Sequence, residues 1–279
     1  MLKTKGKKRR FQIIIGAVLM FTLILLIKIL PPREKKKPPP EVKKIEKLEP
    51  AEEKKEKYKI AVIIDDVGYP SNLIEEYKNF NGKLTFSVLP FLKNSSKYAA
   101  LLHESGFEIM IHIPMEPQTY PQTDPGPYAL LTDNSKDEIE QKIMMMIKEN
   151  PFAVGANNHM GSRATADPDL MLWTLNTLKG SNLFFIDSVT TPDTLAHETA
   201  VKIKLDSARR DVFLDNEDSF SSINDQFEKL KKIARSNGTA IGIGHINKSN
   251  TFKVLVHQLP LLEVENYTLI FASEAVRNN

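Results

Sequence analysis

The sequence predicts an α/β fold in which a mainly parallel β-sheet carries helices on its outside. Short apolar runs rich in β-branched residues recur along residues 58–279, and such runs are typical of strands buried on both faces of a parallel sheet. Stretches with a helical spacing of apolar residues separate most of these runs, and repeated strand–helix–strand units build parallel sheets. The pattern alone favours neither a closed barrel nor an open, doubly wound sheet strongly.

Eight apolar runs are the predicted strands. The first ends abruptly in Asp65 and Asp66, and Gly68 with Pro70 stops it. In chain order the predicted strands cover residues 60–64, 84–89, 108–113, 152–156, 183–186, 211–214, 239–244 and 267–272. Two intervening helices are predicted at residues 135–149, where a Ser or Asp cap opens an amphipathic stretch, and at residues 223–237.

The stretch 114–133 contains five prolines and shows neither a helical nor a strand period. It is long for a connection in a compact domain, and long loops of this kind are more often functional than accidental. We therefore expect it to roof a site.

The first 57 residues have a different composition from the rest. Residues 1–10 are rich in Lys and Arg. Residues 11–30 are mostly apolar, with Lys28 as their one charged residue, and this run is long enough for a transmembrane signal-anchor helix. The basic cluster predicts a cytoplasmic N-terminus and a single pass through the cell (inner) membrane, with the globular part periplasmic or extracellular. A cleaved signal peptide is the alternative, but no small-residue cleavage site follows the run. Residues 31–57, rich in Pro, Lys and Glu, are predicted to be a disordered linker.

The charge balance excludes one class of function for residues 58–279. Residues 1–57 hold 17 of the 38 basic residues but only 7 of the 35 acidic ones, so the rest of the chain has a net charge of −7. We therefore expect no nucleic-acid binding. The chain has no cysteine, which excludes thiolate zinc sites, disulfides and a cysteine nucleophile.

Polar side chains end most of the predicted strands, where active sites of α/β barrels lie. One Asp and two His form a common ligand set for a catalytic divalent metal, because they leave positions open for water and substrate. Asp66, His112 and His159 are the candidate ligands, Asp65 is the candidate base and His245 the candidate acid. The alternative for the acid pair is that one of its members merely caps a helix.

Other polar residues near the strand ends are candidates for supporting roles. Asn158 and Arg163 follow the fourth strand and are candidate substrate-binding or orienting residues. Asp187 and Asp215 end the next two strands, where they either cap helices or orient a ligand or Arg163.

At these positions the sequence resembles the divergent polysaccharide deacetylase family. The resemblance covers nearly all of residues 58–272 through six ordered blocks, which begin at Ile63, His112, Asn157, Phe185, Arg210 and Ile243. It implies a distorted (β/α) barrel of seven or eight strands and metal-dependent removal of acetyl groups from amino sugars. It also implies that Asp65 is the base, that Asp66 and His112 are ligands, and that His245 is the acid.

The chain departs from the wider superfamily at one ligand. Typical members carry His-x-x-x-His, but Glu116 stands four residues after His112. Either His159 supplies the missing imidazole, which we favour, or Glu116 coordinates and makes a harder, oxygen-rich site. Zinc is the expected metal.

The function expected from the sequence is a membrane-anchored, extracytoplasmic carbohydrate deacetylase that acts on an acetylated polysaccharide or a peptidoglycan-like glycan. The substitution at Glu116 leaves an alternative, a non-catalytic glycan-binding or envelope-assembly protein that retains the barrel.

Overall fold

The computed structural model describes residues 57–276, whose centre is a sheet of nine strands. The strands pair in the order β6-β5-β4-β3-β2-β1-β8-β7, β9 lies beside β1, and every pairing is parallel. The strands are β1 (Tyr58–Val67), β2 (Thr85–Val88), β3 (Glu108–Met115), β4 (Ala153–Met160), β5 (Phe184–Asp187), β6 (Ser207–Arg209), β7 (Val212–Phe213), β8 (Thr239–His245) and β9 (Tyr267–Ile270). The predicted parallel α/β sheet is confirmed.

Eight α-helices of the described region pack against this sheet. They are α1 (Ile74–Lys78), α2 (Ser95–Glu104), α3 (Lys136–Glu149), α4 (Pro168–Gly180), α5 (Ala196–Lys202), α6 (Phe220–Asn237), α7 (Ser249–Val264) and α8 (Ala272–Val276). Ser135 caps α3 and forms a capping box with Glu138, as its sequence predicts. Ser219 caps α6, which therefore begins three residues earlier than its apolar spacing indicates.

The predicted basic segment 1–10 and the anchor 11–30 lie outside the described residues, as does all but the last residue of the linker 31–57. Between residues 57 and 276, no helix is both long and apolar enough to cross a bilayer.

The barrel is incomplete, and it has nine strands where seven or eight were expected. The short strand β6 was missed because its Ser207 and Arg209 interrupt any apolar run. β6 pairs with β5 and β7 pairs with β8, and within the described region no strand pairing joins β6 to β7. Between them the chain crosses the opening: Arg210 N donates to Asp187 O, and Asp211 N donates to Ile241 O, both at 2.9 Å.

The apolar core explains where the site must lie. Two clusters pack strands against helices, and a third, which includes Ile63, Met110 and Ile243, consists mainly of strand residues together with α8. Because strand side chains alternate between faces, residues two positions further along face the same way as this inner cluster. Those residues are Asp65, His112 and His245. The inner face therefore changes from apolar to ionisable at the carboxyl ends of the strands.

Candidate metal and catalytic site

Two adjacent acids reach one site because the end of β1 is irregular. In a regular strand Asp65 and Asp66 would point to opposite faces. Asp66, however, has a left-handed backbone with φ of 64°, and the pairing of β1 with β2 shifts register between Ile64 and Val67. Such an irregularity re-aims a side chain. Both carboxylates thereby approach His112, with Oδ2 of Asp65 at 3.7 Å and Oδ1 of Asp66 at 3.4 Å from Nε2.

Three of the predicted ligands converge on a compact triangle of donor atoms. Nδ1 of His159 lies 3.1 Å from Oδ1 of Asp66 and 3.1 Å from Nε2 of His112. Within residues 57–276 this is the one group of three or more His, Asp and Glu side chains close enough to share a metal ion. The structure thus brings together the three candidate ligands, which come from β1, β3 and β4.

The triangle suits a divalent metal. Tetrahedral zinc with bonds of about 2.0–2.1 Å separates neighbouring ligand atoms by roughly 3.3–3.4 Å, close to the separations found here. Oδ1 of Asp66 is buried yet has no hydrogen-bond partner in the described part of the chain. A buried carboxylate oxygen without a partner is costly. A cation bound by this oxygen and the two imidazoles would satisfy all three atoms.

The electrostatics of the triangle also favour a positive charge. Burial raises the pKa of Asp66, but the close imidazoles of His112 and His159 outweigh it and hold this pKa well below its usual value. Burial lowers the pKa of His112, but the charges of Asp65 and Asp66 outweigh it and raise this pKa. The acid pair therefore attracts positive charge, which either protons or a metal ion can supply.

Asn157, which the sequence analysis did not single out, connects the base candidate to a ligand candidate. Its Nδ2 donates to Oδ1 and Oδ2 of Asp65, at 2.9 and 3.1 Å. Its Oδ1 lies 2.7 Å from Nδ1 of His112 and accepts from Ser87 Oγ at 2.5 Å. Because the amide oxygen can only accept, His112 carries its proton on Nδ1 and presents the lone pair of Nε2 to the triangle.

Asp65 is placed as a base would be. It is buried, and burial raises its pKa above the usual value, although His112, His245 and the amide of Asn157 oppose the shift. Its neighbour across the β1–β8 pairing is His245. A raised pKa makes this carboxylate a stronger proton acceptor near neutral pH.

His245 is held by Asp215. The Nδ1 of His245 lies 2.7 Å from Oδ1 of Asp215, whose Oδ2 accepts from the His245 backbone N and from Thr251 Oγ1, both at 2.7 Å. Burial lowers the pKa of His245, but Asp215, followed by Asp65 and Asp66, outweighs it and raises this pKa to about 9. Asp215 therefore orients His245 and does not cap a helix.

Glu116 lies apart from the triangle and joins two loops. Its Oε2 accepts from the backbone N and Oγ1 of Thr132, at 2.6 and 2.8 Å. Its Oε1 pairs with Nη1 of Arg163 at 3.0 Å. Both oxygens are occupied, so the structure brings His159, and not Glu116, next to Asp66 and His112.

The remaining candidates support loops. Asn158 faces away from Asn157 along β4, donates to Met160 O and accepts from Ser188 N. Asp187 accepts from Val189 N and Thr194 Oγ1, so it neither caps a helix nor pairs with Arg163.

Arg210 bridges the opening of the barrel beside this site. Its guanidinium donates to the carbonyls of Ser188 and Val189 at 2.7 and 2.9 Å and lies 3.8 Å from the centre of the Phe213 ring. That ring stacks near His245, with centroids 6.0 Å apart. Arg210 opens one of the sequence blocks above, but only the fold reveals what it contacts.

Comparison with known proteins gives a consistent result. The family model described as divergent polysaccharide deacetylase matches residues 62–276. The Escherichia coli (strain K12) protein YibQ, described as uncharacterized, is 35% identical over 218 residues, which cover 77% of this chain and 66% of YibQ. The chain thus spans just under two thirds of the length of that relative. An uncharacterized Haemophilus influenzae protein is 33% identical over 199 residues, which cover 71% of this chain and 69% of that protein.

Among solved structures, the uncharacterized protein ATU2773 from Agrobacterium tumefaciens C58 superposes with a TM-score of 0.72 at 21% identity. The match covers 78% of this chain and 89% of the other. At this identity the likeness concerns the fold alone.

Proposed function

The chain belongs to the divergent polysaccharide deacetylase family, and we propose that it is a metal-dependent deacetylase that removes N-acetyl or O-acetyl groups from an envelope polysaccharide. The observation that carries the proposal is the triangle of Asp66, His112 and His159 beside the buried carboxylate of Asp65. Ligands of this kind fit zinc. When bound, the ion would activate a water molecule and polarise the acetyl carbonyl.

In the proposed reaction, Asp65 and His245 move protons in opposite directions. Asp65 takes a proton from the attacking water as the water oxygen bonds to the acetyl carbon. The bond between that carbon and the sugar nitrogen or oxygen then breaks. His245 gives a proton to the departing amine or alcohol from Nε2, because Nδ1 is held by Asp215. Acetate and the free amine or hydroxyl are the products. The pKa of about 9 keeps His245 charged and ready to donate at neutral pH.

We also propose that residues 11–30 anchor the protein in the inner membrane, with residues 58–279 on the periplasmic or extracellular side. The support is the mostly apolar run 11–30, whose one charged residue is Lys28, behind a basic N-terminus. An acetylated polysaccharide or peptidoglycan-like glycan in that compartment is the proposed substrate.

Acetate release from acetylated amino-sugar oligomers tests the proposal. The full chain, in detergent with zinc, should release acetate, and Asp65→Asn should lower the rate by about 10²–10⁴-fold, as expected for loss of a general base. Asp169→Asn changes an exposed acid on α4 and should leave the rate unchanged. Glycan binding without any acetate release would instead favour the non-catalytic alternative, which is motivated by Glu116 standing where typical superfamily members carry the second histidine.

A further inference from the structure

Two exposed tyrosines follow strands at the carboxyl ends of the sheet, where the site lies. Tyr69 follows β1 and is 43% exposed, and Tyr128 lies in the loop after β3 and is 49% exposed. Single exposed apolar residues are common and need no explanation. These two differ because each is held in place: Tyr69 follows a tightly packed glycine, and Tyr128 packs against Phe91. Both follow strands that carry proposed metal ligands.

Tyr69 is fixed three residues after Asp66. Gly68 between them has φ of 130°, and a Cβ there would meet Ser95 Oγ at 2.9 Å and Leu89 O at 3.2 Å. The chain therefore packs tightly against the start of α2 at this point. Burial, followed by the charges of Asp66 and Asp124, raises the pKa of the Tyr69 hydroxyl. The Tyr69 hydroxyl is therefore within electrostatic range of the proposed ligand Asp66 and of Asp124 in the loop 114–133.

Tyr128 is held by a strained aromatic pair. Its ring centroid lies 4.6 Å from that of Phe91, and both residues have left-handed backbones, with φ of 58° and 64°. Phe91 is anchored because its backbone N donates to Glu149 Oε2 at 2.7 Å and its side chain packs against an apolar cluster. Left-handed residues other than glycine cost about 1–3 kcal/mol each and concentrate at functional sites.

The three loops that carry these rings are neighbours. β1, β2 and β3 lie side by side in the sheet, and Tyr69, Phe91 and Tyr128 follow them in that order. Asp66, Phe91 and Tyr128 are all left-handed. Met160 at the end of β4 and Val189 after β5 are left-handed as well. Left-handed residues therefore occur at the carboxyl ends of five neighbouring strands, and two of the three strands that these rings follow, β1 and β3, also carry proposed ligands.

We infer that Tyr69 and Tyr128 form a stacking surface for pyranose rings of the substrate, on sugar residues adjacent to the one that is deacetylated. A pyranose ring has an apolar C–H face and polar edges, and a tyrosine offers a matching apolar face with a hydroxyl at its end. The consequence is a preference for a polymer over a single sugar. This inference rests on the proposed function for the position of the acetyl group.

A chain-length series tests the stacking surface. The full chain in detergent is assayed with β-1,4-linked N-acetylglucosamine oligomers of one to six units. In the wild type kcat/KM should rise with length, and in Tyr69→Ala/Tyr128→Ala the KM for the hexamer should increase about tenfold. In the double variant, kcat/KM for 4-nitrophenyl acetate, which has no sugar, should fall by a smaller factor than kcat/KM for the hexamer. Equal effects on short and long substrates, or none, would overturn the inference.

His103→Ala is the matched control. His103 is exposed, and its ring stacks on Phe152, with centroids 4.4 Å apart. It lies at the end of α2, just before β3 begins, and therefore at the amino ends of the strands, away from the site. Its removal should leave the length dependence intact.

Binding of the metal-free protein to the same hexamer separates this inference from the proposed function. Hexamer binding that is weakened in the double tyrosine variant, in a protein that releases no acetate, supports the stacking surface and refutes the proposed deacetylase function. Acetate release that does not depend on oligomer length supports the deacetylase function and overturns the stacking surface. Loss of hexamer turnover in the double variant with binding unchanged also overturns it.

Discussion

Asp66 joins Asp65 at the site only because its backbone is left-handed. Consecutive side chains of a strand point to opposite faces, so the sequence alone placed both acids at the end of β1 without showing that they could share a site. The φ of 64° at Asp66 and the register shift of β1 direct the Asp66 side chain toward the same site as Asp65. The candidate ligands could be chosen from the sequence because each ends a predicted strand.

Asn157 illustrates a signal that the sequence contained and that was not used. Residues two apart in a strand share a face. If His159 faces the inside of the barrel, Asn157 faces inward as well, and Asn158 does not. Asn157 donates to Asp65 and accepts from His112, which confirms that direction. The partners of Glu116, by contrast, come from distant loops and could not be read from any local pattern.

Replacing Asn157 by Asp should separate catalysis from metal binding. The new carboxylate can still accept from His112 and Ser87, but it no longer donates to Asp65 and repels it. We expect kcat for acetate release to fall roughly 10- to 100-fold, the cost of losing a buried hydrogen bond to a charged group. Zinc affinity, measured by titration, should be retained.

The control for this variant is Asn176→Asp, on the exposed face of α4, which should behave as the wild type in both measurements. A variant Asn157→Asp with unchanged kcat would show that the amide does not position the base.

At the scale of elements, β6 and β7 act as one strand that changes partners. β6 pairs with β5, and β7 pairs with β8. The sheet therefore curls into an incomplete barrel. Arg210 stands between the two parts, and its bonds to Ser188 and Val189 tie β7 back to the loop after β5. A strand of three residues has too few apolar positions for its pattern to be recognised, which is why β6 could not be predicted.

Arg210→Met should weaken the link between β7 and the loop after β5. Loss of two hydrogen bonds from a charged group to main-chain carbonyls should lower the free energy of unfolding by about 2 kcal/mol. Urea denaturation of the full chain in detergent measures this change. Arg209→Met is the control, because the Arg209 side chain is half exposed and its nearest carboxylate, on Asp187, lies 4.0 Å away. A similar change in both variants would contradict the role given to Arg210.

For the whole molecule, the inner apolar cluster fills the barrel below a layer of ionisable residues. Eight of the nine strands and the parallel arrangement followed from apolar runs alone, because buried strands leave a strong compositional trace. The sequence could not decide how far the barrel closes, since closure depends on which neighbours β6 and β7 find. It also left His159 and Glu116 as competing third ligands, a choice that depends on distances between loops.

Zinc binding by the full chain tests the central claim most directly, because the proposed deacetylation depends on the triangle of Asp66, His112 and His159. Elemental analysis of the purified protein should find about one zinc ion per chain in the wild type and in Glu116→Gln, and none in His112→Ala/His159→Ala. Saturation at hundredfold excess over Kd should raise the free energy of unfolding by about 2.7 kcal/mol in the wild type. Zinc retained by the double histidine variant, or lost in Glu116→Gln while the fold persists, would contradict the assigned site.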